Sequence, residues 1–192
     1  MLVLILGLVL FLGMHAVTMK RDLRAQLIER FGAGGYRGLY SAVSLIGFGL
    51  LIYGYGLQRA AGYTVVWEPP VWTRHLALLL NLPIFILLAV GRRPSWLLSR
   101  VKHPMLLAVK IWATAHLLAN GDLGSILLFG GFLAWATALF VVSRKRDRAA
   151  GVSYGKGKPV MDAVVVVVGL VAWAAFAFYL HGAWIGVKPM GV

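Results

Sequence analysis

Apolar residues fall into six runs separated by short polar segments, and no run holds more than one Lys, Arg, Asp or Glu. The runs are Met1 to Met19, Gly38 to Gln58, His75 to Gly91, Met105 to Asn120, Leu123 to Ser143 and Ala163 to Val187. A hydrocarbon core about 30 Å thick takes ~20 apolar residues of helix. Four runs meet that length, and the third and fourth are expected to extend into their flanks. The pattern therefore predicts an all-α, polytopic transmembrane helix bundle of about six spans. Between the first two runs, residues 20–37 place Leu23, Leu27, Ile28 and Phe31 at helical spacing among charged neighbours. That predicts an amphipathic helix lying in the interface and closing at Gly32, Gly34 and Gly35.

Composition agrees with the pattern. Of 192 residues, 60% are hydrophobic and 13% charged, and the mean hydropathy is +0.83. A soluble domain of this size could not cover so much apolar side chain. With no cysteine, a disulfide scaffold is excluded as well. The formal net charge of +13 would suit a nucleic-acid partner if the basic residues formed one face or groove, but they do not. Lys20, Arg21, Arg24, Arg30 and Arg37 follow run one, and Arg92, Arg93, Arg100 and Lys102 follow run three. Arg144, Lys145, Arg146, Arg148, Lys156 and Lys158 follow run five, leaving only Arg59, Arg74 and Lys188 on the other side and Lys110 within a run. The positive-inside rule puts the three basic loops in the cytoplasm and both termini outside, as in a multi-pass protein of a bacterial inner membrane. Anionic lipid at the cytoplasmic face is then the expected partner of the charge. The first run lacks a basic segment before it, so it is read as a retained span and not a leader. No linker or composition shift divides the chain, which reads as a single domain over residues 1–192.

Glycines 47, 49, 54 and 56 in the second run, and Gly130, Gly131 and Ala134 in the fifth, would allow helices to approach closely. Neither a nucleotide-binding loop nor a set for hydrolytic catalysis is recognisable. What stands out is five histidines, His15, His75, His103, His116 and His181, in a chain with six acidic residues. Ionisable groups within a bilayer are costly, and function is the first hypothesis for them. His116 lies deepest, within IWATAHLLANGD, with Trp112 one turn earlier on the same face. An imidazole there requires a hydrogen-bond partner or a metal, and haem iron in its apolar macrocycle suits the case. A packing histidine bonded to a neighbouring helix is the other reading. His15 is similarly embedded. His75 sits at an interface, where wetting and ligation are equally served. His181 reads as an interfacial residue, and Lys102-His103-Pro104 as a helix start. Lys110 is expected to snorkel or to pair with Asp162, and Asp122 to meet Arg74.

The segment KHPMLLAVKIWATAHLLANGDLGSILLFGGFLAW (Lys102 to Trp135), with LFLGMHA around His15 and YRGLYSAVSL from Tyr36, resembles the NnrU family of bacterial membrane proteins. The resemblance covers nearly the whole chain, and its densest motif is HP followed by W-x-x-x-H-L-x-x-N-G. It implies a link to denitrification and nitric oxide metabolism. The family is in turn similar to the zeta-carotene isomerase of plants and cyanobacteria, which uses haem b to isomerise a polyene. That similarity implies haem b here, with His15 and His116 as its axial ligands. The isomerase's cysteine, three residues before the second histidine, is Ala113 in this chain, so its redox switch does not carry over. At ~1.5 Å per residue, His15 lies near the cytoplasmic end of its run and His116 near the opposite end of its own. His75, level with His116, is therefore the geometric alternative, and Trp112 would line the pocket. Two further readings stand beside haem-supported nitrogen-oxide metabolism. One is a non-catalytic scaffold or assembly protein whose histidines only hydrogen-bond. The other is a haem-dependent isomerase of an apolar polyene, with Trp112 and Trp135 along its pocket.

Overall fold

The computed structural model describes residues 1–155 and 157–189. Among them the protein is all-helical, with one isolated antiparallel bridge between Val65 and Asp122 as its sole β pairing. Eight α-helices follow in order: α1 (Leu2–Ala16), α2 (Arg21–Ala60), α3 (Val71–Val90), α4 (Trp96–Val101), α5 (Pro104–Ala119), α6 (Leu123–Ala149), α7 (Pro159–Ala175) and α8 (His181–Ile185). A 3₁₀ turn at Val17–Met19 ends α1, and a π-helical stretch at Phe176–Leu180 joins α7 to α8.

Five helical segments are long and apolar enough to cross a membrane: Leu2–Met19, Arg21–Ala60, Val71–Val90, Leu123–Ala149 and Pro159–Ile185. Large apolar side chains such as Leu45, Ile46, Val71 and Val171 are exposed on them, as lipid-facing residues are. The protein is a membrane protein. The fourth apolar run departs from expectation: its 16 residues span roughly 24 Å at 1.5 Å each, less than a bilayer core. Both of its limits are fixed locally. Pro104 occupies the first turn, after Lys102 at φ 66°. At the other end Asn120 is extended, and its Nδ2 donates to the His116 carbonyl at 2.8 Å. The third run does extend, beginning at Val71 after Pro70.

The amphipathic segment and the second run form the single element α2, broken at Gly32, where φ 71° and ψ 162° are open to glycine alone. Gly34 and Gly35 continue the helix. The kink lets the charged turns before Gly32 take a different direction from the apolar turns after it.

By its internal contacts the chain divides into two compact units, Met1–Trp67 with Gly121–Trp135, and Glu68–Asn120 with Ala136–Val192. In the first, α1 runs antiparallel against α2: Gly54 meets Leu4, while Gly47 meets Phe11. A Cβ on Gly47 would stand 2.7 Å from the Phe11 nitrogen, and one on Gly7 would stand 2.6 Å from the Leu51 nitrogen. Only glycine allows the two backbones so near. From α6, Gly131 adjoins Leu8 and Leu12, and Phe132 packs on Phe11 at 5.8 Å. Ser125, fully buried, shares a 2.9 Å hydrogen bond with the Tyr55 hydroxyl. The carboxylate of Asp122 caps the start of α6 by accepting from the Ser125 nitrogen at 2.8 Å.

In the second unit α3 packs between α5 and α7. Ile84, Leu87 and Ala108 form one apolar centre with Trp112 and Ile111 at its edge, and Val90, Leu98 and Val165 form another. Asp162 does not pair with Lys110. It accepts the backbone N–H groups of Trp96 and Leu97 at 3.0 and 3.1 Å, satisfying donors that the first turn of α4 leaves open. Lys110 instead places its ammonium over the Phe140 ring, 5.0 Å from the centroid.

Candidate functional site

His15 and His116 are built alike. Each occupies the last turn of its helix, α1 or α5, and each sets its Nδ1 against the carbonyl four residues earlier, Phe11 at 2.7 Å and Trp112 at 2.8 Å. A carbonyl only accepts, so Nδ1 carries the proton in both. In the neutral ring Nε2 then holds the lone pair, the form that ligates a metal. The same residue that supplies the carbonyl also supplies an aromatic wall: Phe11 lies 4.3 Å from the His15 ring, and Trp112 lies 5.3 Å from that of His116. One helical turn separates Trp112 from His116, and the same spacing, overlooked in the sequence pattern, separates Phe11 from His15.

In the first unit His15 is half-buried between Tyr40, at 5.3 Å, and the edge-on ring of Trp135, at 5.8 Å. Tyr36, Tyr40 and Ser44 follow one another at four-residue spacing along that face of α2. The Tyr36 hydroxyl, the Ser44 hydroxyl and the Trp135 indole nitrogen are buried polar atoms that meet no hydrogen-bond partner among the described residues. Buried donors without acceptors are uncommon in folded chains and call for a partner. The surroundings of His15 thus combine aromatic walls with polar groups that the other described residues do not satisfy.

In the second unit His116 interacts electrostatically with His181, a residue read from the sequence as an interfacial bystander. His181 begins α8; its Nδ1 donates to the Val187 carbonyl at 2.6 Å, and its ring meets Phe176 edge-on at 5.6 Å. It therefore shares the tautomer of the other two. No spacing in the sequence relates residues 116 and 181; the fold sets them near enough for charge on one to be felt at the other. His75 lies exposed near the start of α3. Of the four residues assigned to a cofactor, His116 and Trp112 are in contact, His15 belongs to the first unit and His75 to the second.

A polar cluster that the sequence did not single out lies at the start of α5. His103 Nε2 donates to Asp147 Oδ2 at 2.7 Å, and the Tyr154 hydroxyl donates to the same oxygen, also at 2.7 Å. Burial, together with the hydrogen bond to Asp147, pushes the Tyr154 phenol up to about 12. The pair His103–Asp147 is an ion pair when the imidazole is protonated. The three side chains tie the loop after α6 to the start of α5.

Among the described residues, no group of three or more His, Asp and Glu side chains is arranged to hold a metal ion. The donor chemistry on offer is that of single imidazoles with aromatic walls. Single neutral imidazoles of this tautomer are a ligand type that haem iron takes.

Compared with known proteins, residues 3–189 match the family model described as NnrU protein. No curated protein and no solved structure matches the chain.

Proposed function

The chain belongs to the NnrU family, and on that premise we propose that it is a multi-pass protein of the bacterial inner membrane that binds haem b and supports nitric oxide and denitrification metabolism. The observation that carries the reading is the shared construction of His15 and His116. Both imidazoles are held with Nδ1 protonated, the tautomer whose Nε2 carries the lone pair a metal would use. His116 would hold the iron, with the Trp112 ring beside it. His15 is the second ligand that the family resemblance favours. His75, the geometric alternative, and His181, whose charge is felt at His116, are the other readings for that position. Bound haem would supply a redox-active iron able to take a diatomic ligand such as nitric oxide. The chain's own residues would hold the imidazoles in one tautomer and keep water from them.

Two other readings stay in view. A scaffold protein would use these histidines only as hydrogen-bonding residues. A polyene isomerase would need haem as well as a long apolar slot beside Trp112 and Trp135.

The test is the absorption spectrum of the full chain, purified in mild detergent from haem-replete cells. A Soret band is expected, and it should be lost in His116→Ala. Separate His15→Ala and His181→Ala variants identify the second ligand, because replacing it converts a low-spin ferric spectrum to high-spin. Colourless protein despite ample haem would leave the scaffold reading. Haem-loaded protein that converts added cis-polyenes would favour the isomerase.

A further inference from the structure

The basic end of α6 carries a built site of another kind. Phe140, Val141, Arg144 and Arg148 border a groove of about 230 Å³. Their spacing sets them along one side of the helix, where the apolar run ends and the basic run begins. The groove is therefore apolar at one end and cationic at the other.

One of its guanidinium nitrogens is left unpaired among the described residues: Nη1 of Arg144 is buried and meets no hydrogen-bond partner there. A guanidinium brings five donors and no acceptor, so burying one of its nitrogens requires an acceptor nearby. The adjacent acid is Asp147, and its Oδ2 already accepts from both His103 and Tyr154. Arg144 acts on Asp147 and Tyr154 through its field without bonding to either. Arg148 reaches back to the Arg144 carbonyl at 3.4 Å through Nε. Lys110, seated over the Phe140 ring, brings a third cation to that residue.

We propose that this groove binds the phosphate of an anionic phospholipid, with the Arg144 and Arg148 guanidinium groups as donors and Phe140 and Val141 against the start of an acyl chain. Guanidinium suits phosphate because its planar fork matches two oxygens at once. The apolar end, continuous with the membrane-facing part of α6, selects a lipid over a soluble phosphate. The neighbouring acid, Asp147, is engaged by His103 and Tyr154. A free carboxylate would compete with the phosphate, and the His103–Asp147–Tyr154 cluster ties that carboxylate up.

The experiment uses the full chain in mild detergent, with added dioleoylphosphatidylglycerol, dioleoylphosphatidylcholine or inorganic phosphate. Native mass spectrometry counts the retained ligand, and the melting temperature reports its effect. Phosphatidylglycerol is expected to bind more tightly than phosphatidylcholine, whose choline opposes the arginines, and inorganic phosphate at equal concentration to compete poorly. Arg144→Gln should weaken phosphatidylglycerol by about fivefold, as expected for one basic residue at a lipid surface. Arg148→Gln changes an exposed residue, so it folds if Arg144→Gln does not, and it should weaken binding in the same sense. Arg100→Gln, which removes a cation stacked on Trp96, should leave binding as in the wild type. Equal binding of the two lipids overturns the proposal. So does wild-type selectivity in both groove variants, an equal loss in Arg100→Gln, or inorganic phosphate competing as well as the lipid.

Discussion

Replacing Gly47 with alanine tests how closely α1 and α2 are packed and how that packing holds His15. The added Cβ would lie 2.7 Å from the Phe11 nitrogen, 3.0 Å from its Cα and 3.1 Å from the Leu10 Cβ. Carbon contacts are favourable only from about 3.5 Å outward, so α1 must retreat by somewhat less than ~1 Å. The two nearest atoms are backbone and cannot rotate aside. Overpacking of this sort costs about 1–3 kcal/mol. Gly49 supplies the control on the same helix, since a Cβ there meets nothing within 4 Å. Gly49→Ala removes only the entropic penalty of a helical glycine and should gain about 0.5–1 kcal/mol. The helical gain is common to both positions, so the two alanines should differ by the overpacking alone, about 1–3 kcal/mol. Unfolding of the detergent-solubilised chain by SDS, followed by helical circular dichroism, measures that difference. The displaced residue also matters to function, because the Phe11 carbonyl holds His15 Nδ1. Any spectrum that depends on His15 should shift in Gly47→Ala and stay unchanged in Gly49→Ala. If both variants unfold at the same SDS fraction, the close approach of α1 and α2 is refuted.

Two further outcomes follow from hydrogen bonds. Ser125→Ala leaves the Tyr55 hydroxyl without its buried partner and should cost about 1–3 kcal/mol, most of which Tyr55→Phe in the same background should return; strictly additive single and double variants would contradict this. The Tyr154 phenol, pushed from 10.0 to about 12, contributes stability that is whole below pH 10 and fades as pH rises through 12, because the protonated form is the one that bonds Asp147. In a spectrophotometric titration Tyr154→Phe should remove one tyrosinate from the component near pH 12 and none from the one near pH 10, and the reverse result would show that the phenol does not hold the loop.

Much of this fold was legible because a bilayer imposes a simple rule on sequence: apolar runs of sufficient length become helices. All six runs are helical, and the expected extension at the start of α3 occurs. What the rule could not settle is where local chemistry overrides length. Lys102 at positive φ, Pro104 and an extended Asn120 confine α5 to 16 residues, so five helices and not six have spanning length. Similarly, the glycines of the second run were visible as a set, but their roles were not. Gly47 and Gly54, seven residues apart, face α1, whereas Gly49 and Gly56 face nothing. A near-3.5 period along the contact face separates the two pairs only once the partner helix is known. The sites divide in the same way. The nearness of Trp112 to His116 follows from one helical turn. The joining of His103 to Asp147, 44 residues away, and of Asp162 to the start of α4 depends on tertiary contacts that no local pattern encodes.

If the locked imidazoles hold haem b, as proposed, the purified chain carries it in a fixed ratio, and haem per chain decides the matter. Pyridine haemochrome content, set against protein concentration for the full chain purified under haem-replete expression, gives that ratio. Close to one haem b per chain is expected in the wild type and a background level in His116→Ala, with the helical circular dichroism of the two proteins the same. Background haem in the folded wild type, or equal haem in the wild type and His116→Ala, would contradict it.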